Sequence, residues 1–450
     1  MSCKKLVSID QPISSITSEG VFNSDETANS AVTGIYSKLI NTYTDGVMIG
    51  SGSVTIHTGL ASDELAQAGV GAGAGSQTLQ FYTNELLSNN IILHFQLWGS
   101  GYFSIFQINS CIEGLQNSKN LTPGIKNQLT GECKFLRAFI NFYLTNMWGD
   151  VPLPLTADWN KTNLLFRSSK EDVYKQIVSD LLEAKNLLNS SYSLSGNQKI
   201  RADKYAASAL LARVYLYNQE WANAENEASL VINSGLYSLN TNLNDVFLKN
   251  STEAILQFQP SNAVLPFAVI EQFFITRQPE FYYLTNNLAN AFEFSDRRKT
   301  DWTDTVLLSG TPVLYPYKYK IRQGTTGSLP EYYMVLRLAE QYLIRSEARA
   351  KQNKVTESSG DLNIVRNRAG LNPVTITDVQ TLLLAIEKER RLELFAEWGH
   401  RWFDLIRTGR ANTILSNIKG NTWQVTDQLY PIPISEIKKN PNLTQNPGYN

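Results

Sequence analysis

The chain has 450 residues, 42% of them hydrophobic and 18% charged, so it can bury a substantial core and is not globally disordered. Its 40 basic and 41 acidic residues leave a net charge of −1, without the basic surplus or stripe of a nucleic-acid footprint. No apolar run is long enough to span a membrane, and no signal-type apolar region is present, although a removed leader would leave no trace.

Residues 1–20 read as an extended polar arm carrying Cys3, an isolated cysteine near the N-terminus that invites modification. A helix is predicted after Ser24, its N-cap, with Ala28, Val32, Ile35, Tyr36 and Leu39 on one face. Residues 45–97 break the pattern. They are rich in Gly, Ser and Thr, contain the run Gly69–Gly75, and read as a long irregular loop region. Helical periodicity returns at 98–115 and 126–148, ends at Gly149 before Pro152, and restarts after the cap Ser169. Residues 203–218 and 221–232 read as a tight helical hairpin. There Ala212, Tyr215, Ala224, Ala228 and Val231 match the small/aromatic/small spacing of a tetratricopeptide pair.

From 236 to 330 short apolar runs alternate with prolines, which predicts an irregular, partly β insert. Helices are predicted again at 332–351, 358–369 and 378–395, within a second scaffold block at 331–410. Residues 411–450 read as an irregular tail. The expected fold is therefore mainly α. Helix pairs over 21–235 and 331–410 stack into a superhelix and hold the insert and the 45–97 segment in fixed relation.

The most charge-dense stretch is Ile386–Arg410, with Glu387, Glu389, Glu393, Glu397, Asp404 and His400 beside Trp398 and Trp402. It offers a carboxylate dyad with a histidine shuttle. Its charges also fall at i,i+3 and i,i+4 spacing among large apolar residues, the pattern of a brace whose ions satisfy one another. The second reading is preferred, and no enzyme is expected. His57, His94 and His400 are too dispersed for a metal site, and no H-E-x-x-H, C-x-x-C, G-x-S-x-G or phosphate-loop motif occurs. Neither a metal nor a cofactor is expected. Cys111 and Cys133 read as buried free thiols.

The remaining chemistry is stacking of sugar rings on aromatics. Asp63, Tyr82, Trp98, Tyr282, Tyr283, Trp302 and Tyr315 border or occupy the two irregular regions and are the candidate ligand-binding residues. Trp302 is expected to be a loop aromatic whose removal weakens binding more than folding.

Several runs resemble the SusD/RagB family. Glu132-Cys133-Lys134-Phe135-Leu136-Arg137-Ala138, then Trp148-Gly149-Asp150-Val151-Pro152-Leu153, look like its E-x-K-F-L-R-A … W-G-D-V-P-L hallmark. Leu362–Gly370, Glu389-Arg390-Arg391-Leu392-Glu393-Leu394, Arg401–Gly409 and the ending Pro431-Ile432-Pro433 … Asn446-Pro447-Gly448-Tyr449 follow in family order. The resemblance implies four tetratricopeptide-like helix pairs in a right-handed superhelix. It also implies a lipoprotein on the outer surface of the outer membrane that captures oligosaccharide and passes it to a SusC-like TonB-dependent transporter. Cys3 matches the lipidated cysteine, and the missing apolar lipobox residues imply that the natural chain starts further back. Peptide capture, as in RagB-like members, and a soluble tetratricopeptide adaptor are the alternatives. The family motifs are scaffold motifs, so they carry no ligand site with them.

Overall fold

The computed structural model describes residues 18–40, 48–67, 74–260, 282–320 and 329–449, so the Cys3 expectation lies outside the described residues. Helix 25–40 starts where Ser24 Oγ accepts from the Thr27 amide at 3.2 Å. It lies across helices 100–117 and 123–148, which pack on each other. The array then runs in chain order. Helix 123–148 packs on 170–187, that on 204–217, and that on 221–232. Ser169 caps 170–187, its Oγ accepting from the Asp172 amide at 3.1 Å.

Helix 204–217 is buried almost all round. Ala206, Ala209 and Ala212, with Ala224 and Ala228 opposite, leave no side-chain bulk between the two axes, which is why the hairpin closes tightly. After the insert, helix 338–351 packs directly on 221–232 and carries the array on to 355–368 and 379–393. The insert is thus looped out of a continuous helical stack.

Two antiparallel pairs tie the insert to that stack. Strand β1 (Leu65–Gln67) pairs with β3 (Tyr282–Leu284), and β2 (Ala254–Phe258) pairs with β6 (Tyr333–Arg337). The third pair, β4 (Thr303–Leu308) with β5 (Thr311–Pro316), is a hairpin within the insert.

Three sequence expectations need correction. The helix predicted from 332 begins only at Leu338. Tyr333–Arg337 are β-branched or large residues buried on both faces, and they pair with β2 instead. The 45–97 segment is largely helical where described, with Val54–Ala61 wholly buried, Ala74–Thr83, and a π-helical turn at Ile92–Gly99. Its small residues serve close packing as well as turning. A Cβ at Gly50 would lie 2.6 Å from the Leu39 carbonyl oxygen. The tail contains two further helices, 411–419 and 434–439.

Ile386–Arg410 is not one helix. It breaks between Glu393 and His400, where Ala396, Trp398 and Gly399 all have positive φ. The break is held from outside: the Trp398 amide donates to Thr55 Oγ1 at 2.8 Å and its indole Nε1 to the Met334 carbonyl at 2.7 Å. Among the described residues no helix is long and apolar enough to cross a membrane.

Candidate functional site

The charge-dense stretch is the anchor of a buried ion network. Glu393 accepts from Arg337 Nη1 at 2.6 Å, from Arg298 Nη1 at 3.1 Å, and from Arg368. Glu397 receives Arg337 Nε at 2.8 Å and Lys318 Nζ at 2.5 Å, and Glu389 receives Arg298 at 2.6 Å. Arg390 and Arg407 both donate to Asp404, and Arg407 also grips Glu347 in bidentate fashion. Burial pushes the Glu393 pKa up, but Arg368, Arg337 and Arg298 outweigh it and hold the carboxyl below the usual range. His400 is pushed the other way, first by burial and then by the charges of Arg213, Arg390, Arg337 and Lys318. It stays neutral at neutral pH and cannot act as a proton shuttle there. Each of these groups has protein partners, which is the geometry of a frame; Glu347, Arg390, Asp404 and Arg407 also line a small cleft of about 130 Å³.

Four of the residues selected as ligand contacts belong to that frame or to the core. Trp302 is 0% exposed; its Nε1 donates to the Leu243 carbonyl at 2.9 Å, and Lys318 Nζ lies 4.6 Å from its ring. Trp302 is therefore an inner wall of the network, and its removal reports on folding. Trp98 is 3% exposed and packs edge-on to Trp148 at 5.1 Å. Asp63, 1% exposed, accepts from Arg401 Nε at 2.7 Å and pairs with Arg391 at 2.8 Å. Tyr315 is 1% exposed and donates to Asp304 Oδ2 at 2.8 Å. None of the four offers a free face to a ligand. Sequence position next to an irregular region did not separate an aromatic that lines the core from one that faces water.

The other three are brought together. The β1–β3 register sets Tyr282 opposite Gln67 and Tyr283 opposite Ala66. Thr285 fixes the strand end by donating its amide to the Glu64 carbonyl at 2.9 Å and its hydroxyl to the Asp63 carbonyl at 2.6 Å. Helix 74–83 packs beside β1, its Thr78 hydrogen-bonded to Gln67 Nε2 at 2.8 Å and within reach of the Tyr282 hydroxyl. At its C-terminal end sits Tyr82, close enough to Tyr283 for the two phenols to raise Tyr283 electrostatically, after burial. Lys419 pins Tyr82 from below: its ammonium donates to the Leu60 and Tyr82 carbonyls, both at 2.8 Å, and lies 4.5 Å from the Tyr82 ring centre. Tyr82, Tyr282 and Tyr283 are all half-buried. Tyr82 and Tyr283 form a patch with partly open rings and hydroxyls, Asn286 and Asn287 exposed beside it, while Tyr282, the next residue on β3, leaves the strand on the other face toward Thr78. Such a surface can pack against C–H faces and hydrogen-bond hydroxyls. Among the described residues no group of three or more His, Cys, Asp or Glu side chains is placed to hold a metal ion.

A second surface was not found from sequence. Ile91 and Phe95 on the π-helical turn and Phe103 on helix 100–117 are 57%, 57% and 56% exposed and line an open groove of about 730 Å³. Phe106 continues the same helix face. The 152–166 segment runs alongside it, held by Tyr102 and Asn109 donating to the Pro152 and Pro154 carbonyls, and presents Trp159 and Phe166 at 72% and 69% exposure. This many large apolar side chains on one side of the helical array marks an interaction surface. Periodicity reported only that these helices have an apolar face. It could not report that two such faces lie on opposite sides of one helix.

The chain matches known proteins along its length. The model of the SusD family matches residues 208–449, and a model described as starch-binding associating with outer membrane matches 29–216. SusD-like protein P38 of Formosa agariphila is 28% identical over 433 residues, covering 82% of this chain and 83% of that protein. A SusD superfamily protein from Bacteroides vulgatus superposes with a TM-score of 0.80 at 24% identity, covering 95% of this chain and 100% of the other. A laminarin binding SusD-like protein superposes with a TM-score of 0.77 at 25% identity, covering 94% and 99%. On these matches the chain belongs to the SusD family.

Proposed function

We propose that this protein is a cell-surface, lipid-anchored binding protein that captures oligosaccharide and hands it to a SusC-like TonB-dependent transporter, without catalysing a reaction on it. The observation that carries the glycan reading is the patch of Tyr82 and Tyr283, with Tyr282 beside it on the same strand. Its ring-and-hydroxyl side chains sit on a braced strand and on the end of helix 74–83, while the charged groups that could do chemistry are engaged with one another. A solved structure described as a laminarin binding SusD-like protein and a family model described as starch-binding support the same ligand class. The exposed apolar groove supports a large, permanent partner, because a solitary protein gains nothing from leaving Ile91, Phe95 and Phe103 in water. The transporter is that partner in this proposal.

Calorimetry of the purified protein against α- and β-glucan oligomers, mannan and xylan fragments, and mixed oligopeptides tests the ligand class. Saturable binding of a glycan is expected. Binding of peptides with none of any glycan would replace this reading with peptide capture. Co-purification with the transporter from membranes tests the partner.

A further inference from the structure

We propose that the chain carries a second saccharide site, distinct from the tyrosine patch, that selects sugars bearing a carboxylate or sulfate ester. The site is a cleft of about 430 Å³ between the loops at 197–199, 235–238 and 249–252, closed on one side by Tyr332. That volume falls in the range of small-ligand sites, roughly 300–1,000 Å³. None of Tyr82, Tyr282 and Tyr283 lines it.

The cleft is built from pinned backbone. The Gln257 amide donates to the Lys199 carbonyl at 2.7 Å, the Ser238 amide to the Thr252 carbonyl at 3.2 Å, and the Lys249 amide to the Pro330 carbonyl at 2.8 Å. Tyr237 is fixed by a 2.8 Å hydroxyl contact with Tyr192, whose own hydroxyl reaches the Ile255 carbonyl at 3.0 Å.

The charge of the cleft is one-sided. Lys199 and Lys249 line it, and no carboxylate does among the described residues. The Lys199 ammonium makes no ion pair among the described residues. It donates to the Ser251 carbonyl at 3.3 Å and lies 5.0 Å from the Tyr237 ring centre. Burial lowers its pKa, opposed by Asp203, which is itself committed to capping helix 204–217 through the Ala206 amide at 2.7 Å. A half-buried ammonium that makes no direct ion pair, its charge offset only through space by Asp203, leaves a charge-assisted hydrogen bond for an anionic ligand group to make. Apart from Gly235 and Leu236, the rest of the lining is amide, hydroxyl and tyrosine, including Gln198, Asn250 and Tyr332. That composition recognises a polyhydroxylated ligand. A bare anion would use only the ammoniums.

The test is titration of the intact protein with a neutral disaccharide, the matching uronate-containing disaccharide, the matching sulfated disaccharide, and inorganic sulfate alone. One or both acidic sugars are expected to bind at least about tenfold tighter than the neutral one and than sulfate. Which acidic sugar binds identifies the anionic group recognised. Lys199→Gln and Lys249→Gln should each weaken that binding about five- to tenfold, with Lys199→Arg retaining most of it. Neither substitution should change neutral-glycan binding at the tyrosine patch, so the two sites fail or stand separately. Equal binding of neutral and acidic sugars, sulfate alone binding as tightly as the acidic sugars, or unchanged affinity in both glutamine variants overturns the proposal.

Discussion

Glu393→Gln is the sharpest perturbation of the frame. The substitution keeps the volume and removes one charge at the point where Arg298, Arg337 and Arg368 converge. It also turns an NH₂ group toward guanidinium donors. Glu253, Glu389 and Glu397 remain to share these cations, but among the described residues no other carboxylate touches all three. Breaking a buried pair by removing one partner costs about 3–5 kcal/mol. The unfolding entropy of about 2.1 cal/mol/K per residue makes this roughly 1 °C of melting temperature per kcal/mol for a chain of this length, so a fall of about 3–5 °C is expected. Thermal unfolding followed by circular dichroism measures it, with glycan affinity measured at a temperature where both proteins are folded. The effect has a pH signature. The folded carboxyl is held below its ordinary value of 4.5, so its stabilisation is complete above about pH 4.5 and fades as the pH falls below that. The difference between wild type and variant should shrink in acid. An unchanged melting temperature, or a stable variant that loses its ligand, would refute the assignment of this network as frame.

Three further outcomes follow from the same structure. Arg390→Ala should destabilise by about 2–4 kcal/mol in urea unfolding, less than Glu393→Gln, because Asp404 keeps Arg407 as a partner. Glu64 is 1% exposed, and burial, then Asp63, raise its pKa to about 8 against the pull of Arg391, Arg401 and Lys318. The folded state therefore holds a proton that the unfolded chain releases near 4.5, and stability should fall as pH rises from about 4.5 to about 8. Glu64→Gln should remove that slope and be more stable near pH 8, by on the order of 4–5 kcal/mol at about 1.4 kcal/mol per pH unit; a slope that persists in the variant would contradict it. Phe95→Asp with Phe103→Asp should leave melting nearly unchanged, since both side chains are more than half exposed, while reducing co-purification with the transporter at least about tenfold.

The helical frame was legible because its signals are local. Ser24 and Ser169 act as the caps expected, the 203–232 hairpin packs through the expected alanines, and Cys111 and Cys133 are buried free thiols. The brace role of the charged stretch was legible too, since interleaved charges and large apolar residues leave each ion a partner. What escaped was non-local. β6 was read as helix because its pairing with β2 joins residues some eighty positions apart. Gly- and Ser-rich sequence at 48–61 was read as loop, although small residues also let buried helices approach. Of the seven ligand candidates, Tyr82, Tyr282 and Tyr283 are half-buried around β3 and the end of helix 74–83, while Trp98, Trp302, Tyr315 and Asp63 are turned inward. Nothing in a residue's type or neighbours tells which way a large ring points; only the packing of distant elements decides it.

Glycan affinity after removal of the tyrosine patch tests the account most directly. Calorimetry of Tyr82→Ala with Tyr283→Ala, against whichever glycan the wild type binds, should show a loss of at least about tenfold, with melting shifted by only a few degrees because both rings are partly solvated. Wild-type affinity in that double variant would contradict the account and move the ligand away from the β1–β3 surface.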